Sequence, residues 1–166
     1  MGALIAVYIA AMVSANMLVW WLGPWFSPFN SFLLIGLDLT LRDVMHDRLS
    51  RWQMLGVILV GGFITWAVNP AAAKIAIASA TAFGISAITD WLVYTYLRSK
   101  PWLVRSNGSN VVGAAVDSLI FPTLAFGSFM PHIVALQFAA KVGGGAVWSL
   151  LLANKITPAP RSAPHS

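Results

Sequence analysis

The chain has no cysteine and no glutamate, and only 9% of its 166 residues are charged. Without cysteine there is neither a disulfide framework nor thiol chemistry. A soluble domain carries about 25% charged residues, so this chain has far too few to wet a globular surface. Disorder is excluded as well, because unstructured segments are poor in apolar residues and this chain is 58% hydrophobic. Catalytic signatures are also missing. There is no G-x-S-x-G elbow, no H-E-x-x-H pair and no paired-aspartate array of the kind membrane phosphotransferases need, so a non-enzymatic role is expected. A mean hydropathy of +0.77 places the chain in a bilayer.

One crossing takes about 20 apolar residues, which leaves room for no more than six or seven spans. Six apolar runs are legible, at about 3–23, 29–45, 54–68, 71–97, 110–126 and 132–154, separated by Pro, Gly and charged punctuation. The first is read as a retained helix rather than a signal peptide, since no basic residue precedes it and Asn16 interrupts it. The segment 157–166 is expected to be a disordered tail. The predicted fold is therefore an all-α polytopic bundle of six transmembrane helices.

The net charge of +5 raises the question of nucleic acid, but the basic residues form no stripe. Arg42, Arg48, Arg51, Arg98, Lys100, Arg105, Lys155 and Arg161 all fall on one side of a six-span topology, and Lys74 alone marks the other. By the positive-inside rule both termini are cytoplasmic. Most of the eight tryptophans lie near run ends, as an interfacial belt requires.

Inside the spans, ionisable residues cost about 2.5–3.5 kcal/mol each on insertion scales and so call for a partner, a wet cavity or a function. Asp38, Asp90, Asp117 and Lys141 stand out. Structural pairing of Asp38 with Arg42 one turn on, and of Lys141 with one other aspartate, is the simplest account of them. Helical spacing extends them into stripes: Ser79, Phe83, Ser86, Asp90 and Tyr94; Asn110, Gly113 and Asp117 beside Ser109; Gln137, Lys141, Gly144 and Trp148. With Asn16, these stripes predict a shared polar cavity ringed by aromatics, suited to a small solute. A ladder of Ala72, Ala76, Ala80 and Gly84 predicts a close helix–helix seam. Asp43, His46 and Asp47 have i, i+3, i+4 spacing that could hold a metal, but a solvated helix end is the simpler reading, and no metal or cofactor is expected.

The ordered polar residues resemble the vitamin uptake transporter family, and within it the queuosine precursor transporters. The likeness rests on Asp38-Leu-Thr40-Leu-Arg42, the Lys74 to Asp90 segment, Ser109-Asn110-Val-Val-Gly113-Ala-Ala-Val-Asp117-Ser118, and Lys141. It implies a multi-pass inner-membrane carrier importing 7-cyano-7-deazaguanine (preQ0) or its aminomethyl relative (preQ1) by alternating access. A deazaguanine offers two adjacent N–H donors and a carbonyl, which a carboxylate and an amide or ammonium can read. Asp117 or Asp90 is the expected donor-reading carboxylate, with Asn16, Asn110 and Lys141 for the acceptor edge. Asp38 and Thr40, with Arg42, shape a gate, and Ser86 shares the Asp90 face. Many relatives carry an acid where Arg42 stands, and some carry one at Gln137.

The expected partners are the solute, the lipid bilayer and, as an option, a second copy of the chain. The alternative is a substrate-binding module of an energy-coupling-factor importer. Its sequence support is Ala6-x-x-x-Ala10 and Ala11-x-x-x-Ala15, spacings that let a partner helix approach.

Overall fold

The computed structural model describes residues 2–46 and 48–156, and among these every regular element is helical. Helix α1 (Gly2–Leu22) ends at Gly23, whose φ of 76° only glycine adopts freely, and the turn Pro24–Phe26 reverses the chain. Helix α2 covers 27–46 in three consecutive pieces: α-helical Ser27–Asn30, π-helical Ser31–Ile35 and α-helical Gly36–His46. Helix α3 (Arg51–Val68) opens on a capping box, with the Ser50 hydroxyl accepting from the Gln53 N–H and the Gln53 side chain accepting from the Ser50 N–H. After Asn69 and the turn Pro70–Ala72 come α4 (Ala73–Tyr96), α5 (Trp102–Phe126) and α6 (Pro131–Ile156).

Among the described residues, four stretches are long and apolar enough by themselves to cross a bilayer: Gly2–Leu22, Pro70–Tyr96, Trp102–Phe126 and Pro131–Leu152. Trp52–Val68 is a shorter apolar helix, and α2 is interrupted by polar residues, so these two complete the bundle in the company of the others. The chain is an all-α polytopic membrane protein.

Its polarity is distributed accordingly. Trp21, Trp25, Phe63, Ile77 and Leu150 face outward, while Asn16, Asp38, Ser86, Asp117, Gln137 and Lys141 are buried. The buried faces of α4 and α5 hold the polar stripes expected of them. The small-residue ladder of α4 lies along α3: a Cβ at Gly62 would stand 3.2 Å from that of Ala80, and one at Gly84 would touch Leu55.

A second seam joins α2 to α6. A Cβ on Gly36 would lie 2.6 Å from the Gly144 carbonyl carbon, and one on Gly144 would overlap the Phe32 carbonyl oxygen. Only glycine at both places lets the two backbones meet. The π-helical turn lies at this crossing, and Trp148 Nε1 donates to the Leu33 carbonyl within it at 2.9 Å. Thr40 donates to the Gly36 carbonyl at 3.1 Å and to the Gly145 carbonyl at 3.3 Å, which ties the same two helices together.

Helix α5 departs from the sequence reading. It begins at Trp102 rather than near Asn110, because Ser106, Ser109 and Asn110 find partners inside the protein and need no water. The segment 157–166, expected as a tail, lies outside the described residues.

Candidate functional site

Two polar centres occupy the interior, one above the other along the bundle. The first lies toward the end carrying the α1–α2, α3–α4 and α5–α6 connections. Lys141 on α6 donates to Asp117 Oδ2 on α5 at 2.6 Å, to Ser118 Oγ at 3.1 Å and to Gln137 Oε1 one turn away at 2.9 Å. All three ammonium hydrogens are thereby placed, in a side chain only 1% exposed. The Gln137 amide in turn donates to Ser27 Oγ on α2. Asn16 on α1 donates to Thr65 Oγ1 on α3 at 3.2 Å, and Asn30 on α2 donates to the Ala15 carbonyl at 3.2 Å.

Of these groups, Lys141, Asp117, Ser27, Asn16 and Asn30 border one cavity. Asn16 and Val19 come from α1, and Asn30 and Ser31 from α2. Ser79 and Phe83 are supplied by α4, Asp117 and Phe121 by α5, and Lys141 by α6. As it stands the cavity has room for about one water molecule, so a ring-sized solute enters only if helices part. Asp117 Oδ1 and Asn30 Oδ1 on its walls are buried acceptors with no hydrogen-bond donor. With Lys141 already on Asp117 Oδ2, the other oxygen of that carboxylate is left without a donor.

The second centre lies toward the end that holds the basic loops. Arg42 Nε on α2 stands 3.6 Å from Asp90 Oδ2 on α4, and its terminal nitrogens reach Ser86 Oγ at 3.4 Å and 3.5 Å. Ser86 in turn donates a hydrogen bond to the Gly113 carbonyl on α5 at 3.0 Å. Nearby, Ser106 on α5 donates to Asp43 Oδ2 on α2 at 2.5 Å, and Ser106 Oγ lies 3.2 Å from Ser149 Oγ on α6 and 3.5 Å from Asn110 Nδ2. Between the two centres Asp38 is completely buried. Neither of its carboxylate oxygens meets the geometry of a hydrogen bond, and the Tyr8 hydroxyl is the polar group beside it.

Comparison with known proteins assigns this architecture. Residues 1–153 match the family described as "Putative vitamin uptake transporter". The chain belongs to this family. No curated protein and no solved structure matches it. A family of uptake transporters, together with helices that can cross a bilayer, makes the chain a multi-pass membrane protein that handles a small solute, and it accords with a role other than an enzyme's.

Against this family background the residues singled out from sequence divide between the two centres. Asn16, Asp117 and Lys141 line the cavity. Ser86 and Asp90 stand with Arg42, and Asn110 with Ser106. Thr40 spends its hydroxyl on backbone carbonyls. The simple pairing of Lys141 with an aspartate is found, in Asp117. The pairing of Asp38 with Arg42 is not, because the guanidinium reaches across to α4. Asp43 corrects another expectation: it is buried on a serine rather than solvated, since α2 turns that face toward α5. The side chains of His46 and Asp47 lie outside the described residues, and among the described residues no three His or acidic side chains gather as a metal site.

Sequence reasoning passed over Ser27, Asn30, Ser31, Tyr8, Ser106 and Ser149. Ser106 had a usable signal, since it lies one turn before Asn110 on the stripe that continues to Gly113 and Asp117. Tyr8 had none, being one aromatic in an apolar run.

Proposed function

We propose that the chain imports a small planar solute with adjacent N–H donors, the deazaguanines preQ0 and preQ1, across a cell's inner membrane by alternating access. The observation that carries this reading is the pair of donor-less acceptors, Asp117 Oδ1 and Asn30 Oδ1, on residues that line one cavity with Phe83 and Phe121. A deazaguanine brings two N–H groups for those acceptors and a ring face for the phenylalanines. Lys141 holds Asp117 in place, and Asn16 supplies an amide for the solute's acceptor edge. Asp38, Thr40, Ser86, Asp90 and Asn110 close the route toward the basic end, and that seal opens when α2 moves from α4 and α5.

The test is uptake of labelled preQ1 and preQ0 into proteoliposomes holding the purified chain, with guanine and common vitamins as competitors. Asp117→Asn and Phe83→Ala should each lower uptake at least tenfold, because one removes the charge that reads the donors and the other a stacking face. Vesicles that neither bind nor move any deazaguanine would refute the substrate assignment.

A second reading has one observation in its favour. Ala6 and Ala10 face outward on α1 while Ala11 and Ala15 are buried, so one of the two small-residue pairs is free to receive a partner helix. A binding module of an energy-coupling-factor importer uses such a face, as would a second copy of the chain. Uptake by cells that express this chain but lack energising subunits separates the carrier from the module.

A further inference from the structure

The buried charges do not balance. Among the described residues, Asp38, Asp43, Asp90 and Asp117 are all buried, and only Arg42 and Lys141 are buried with them. Lys141 neutralises Asp117, and Arg42 faces Asp90. Two carboxylates are left over in a low-dielectric interior, where an uncompensated charge costs many times more than a hydrogen bond returns. Asp43 is supported by Ser106, with Asn110 close by. Asp38 has no hydrogen bond at either oxygen.

We infer that Asp38 is a proton-binding site, and that the coupling ion of this transporter is a proton carried on its carboxylate. The coupling rests on the uptake reading given above; the bound proton does not. A metal cation is a poor candidate, because it needs several oxygen ligands, and among the described residues the Tyr8 hydroxyl stands beside Asp38 and no three His or acidic side chains gather there. A proton needs one oxygen. The charged groups acting on Asp38 are Arg42 on its own helix and Asp117 on α5. The α1 element contributes Tyr8, and Lys141 on α6 is already held by Asp117.

The geometry also supplies a way to discharge the site. Arg42 lies one turn beyond Asp38, the spacing at which an aspartate and an arginine meet on a helix. In this structure it is drawn to Asp90 instead, at 3.6 Å, and its Nε makes no hydrogen bond. A cleft bounded by Leu49, Ser50, Met54 and Trp91 reaches both Arg42 and Asp90 from the basic end. When α2 and α4 part there, the guanidinium loses Asp90 and falls back on Asp38. The carboxylic acid then gives its proton to water in the cleft and becomes a carboxylate paired with Arg42. Closure returns Arg42 to Asp90, and Asp38 takes a proton from water on the cavity side. One proton crosses per cycle, and the proton and Arg42 are alternative neutralisers of one carboxylate.

Two measurements on the full chain test this. Infrared spectra of the purified protein near neutral pH should contain a buried carboxylic-acid C=O band that disappears in Asp38→Asn, and this readout needs no substrate. A wild-type spectrum whose acid band is absent, or unchanged in Asp38→Asn, overturns the site. In proteoliposomes, an inward proton gradient should raise wild-type preQ1 uptake several-fold over the gradient-free rate. For Asp38→Asn that ratio should fall to unity whatever its basal rate. A variant still driven by the gradient overturns the coupling. A wild type that shows the acid band yet moves no deazaguanine refutes the substrate assignment and leaves the proton site standing.

Discussion

Lys141 and Asp117 meet at 2.6 Å across the α5–α6 interface, both almost fully buried, and this pair forms part of the wall of the interior cavity. Neither charge has water to fall back on. Removing one partner therefore strands the other, and such a loss costs about 3–5 kcal/mol. Lys141→Met should lower the thermal midpoint sharply in detergent, and the double variant with Asp117→Asn should recover most of that loss without regaining uptake. Equal melting of the single and double variants would contradict the pairing.

The crossing of α2 on α6 makes a steric prediction. Gly144→Val places a side chain on the Phe32 carbonyl, and Gly36→Val drives one into the Gly144 backbone. Either should abolish monodisperse expression, as measured by fluorescence size-exclusion chromatography. Gly56 has nothing within 4 Å of a built Cβ, so Gly56→Ala should be neutral or stabilising by up to about 1 kcal/mol. A tolerated Gly144→Val would mean that the helices do not meet there.

Ser106 is the hydroxyl that makes a buried Asp43 tolerable. Ser106→Ala leaves that carboxylate short of its donor and should destabilise by about 1–3 kcal/mol, read from melting curves. A melting point within error of wild type would show that Asp43 finds support elsewhere.

The capping box at the start of α3 borders the cleft that reaches Arg42 and Asp90 but supplies no residue to the cavity between Asn30 and Asp117. Ser50→Ala should cost about 1 kcal/mol of stability and leave the apparent affinity for solute unchanged. A large change in solute affinity would link the α2–α3 connection to the chamber.

Much of the candidate site was legible before any coordinates. Asp117, Lys141 and Asn16 announce themselves because a polar group in an apolar run is costly wherever the run packs. The burial of the α4 stripe followed from spacing alone, Ser79 through Tyr94. Arg42 was harder to place. Asp38 stands one turn before it on the same helix, yet Arg42 reaches Asp90, and only the rotation of α2 against α4 tells which one it meets. Asp43 was hidden for a similar reason, since a basic, charged stretch resembles a wet helix end until α5 extends to Trp102 and brings Ser106 to it.

Composition and spacing by themselves determined that this protein lives in a bilayer, how its helices follow one another and which side chains cannot face lipid. Each of those follows from a transfer cost paid residue by residue, which a linear text records. Who pairs with whom was decided only in three dimensions. Helix rotation and depth are set where backbones touch, at Gly36 and Gly144 above all, and those contacts join residues far apart in the chain.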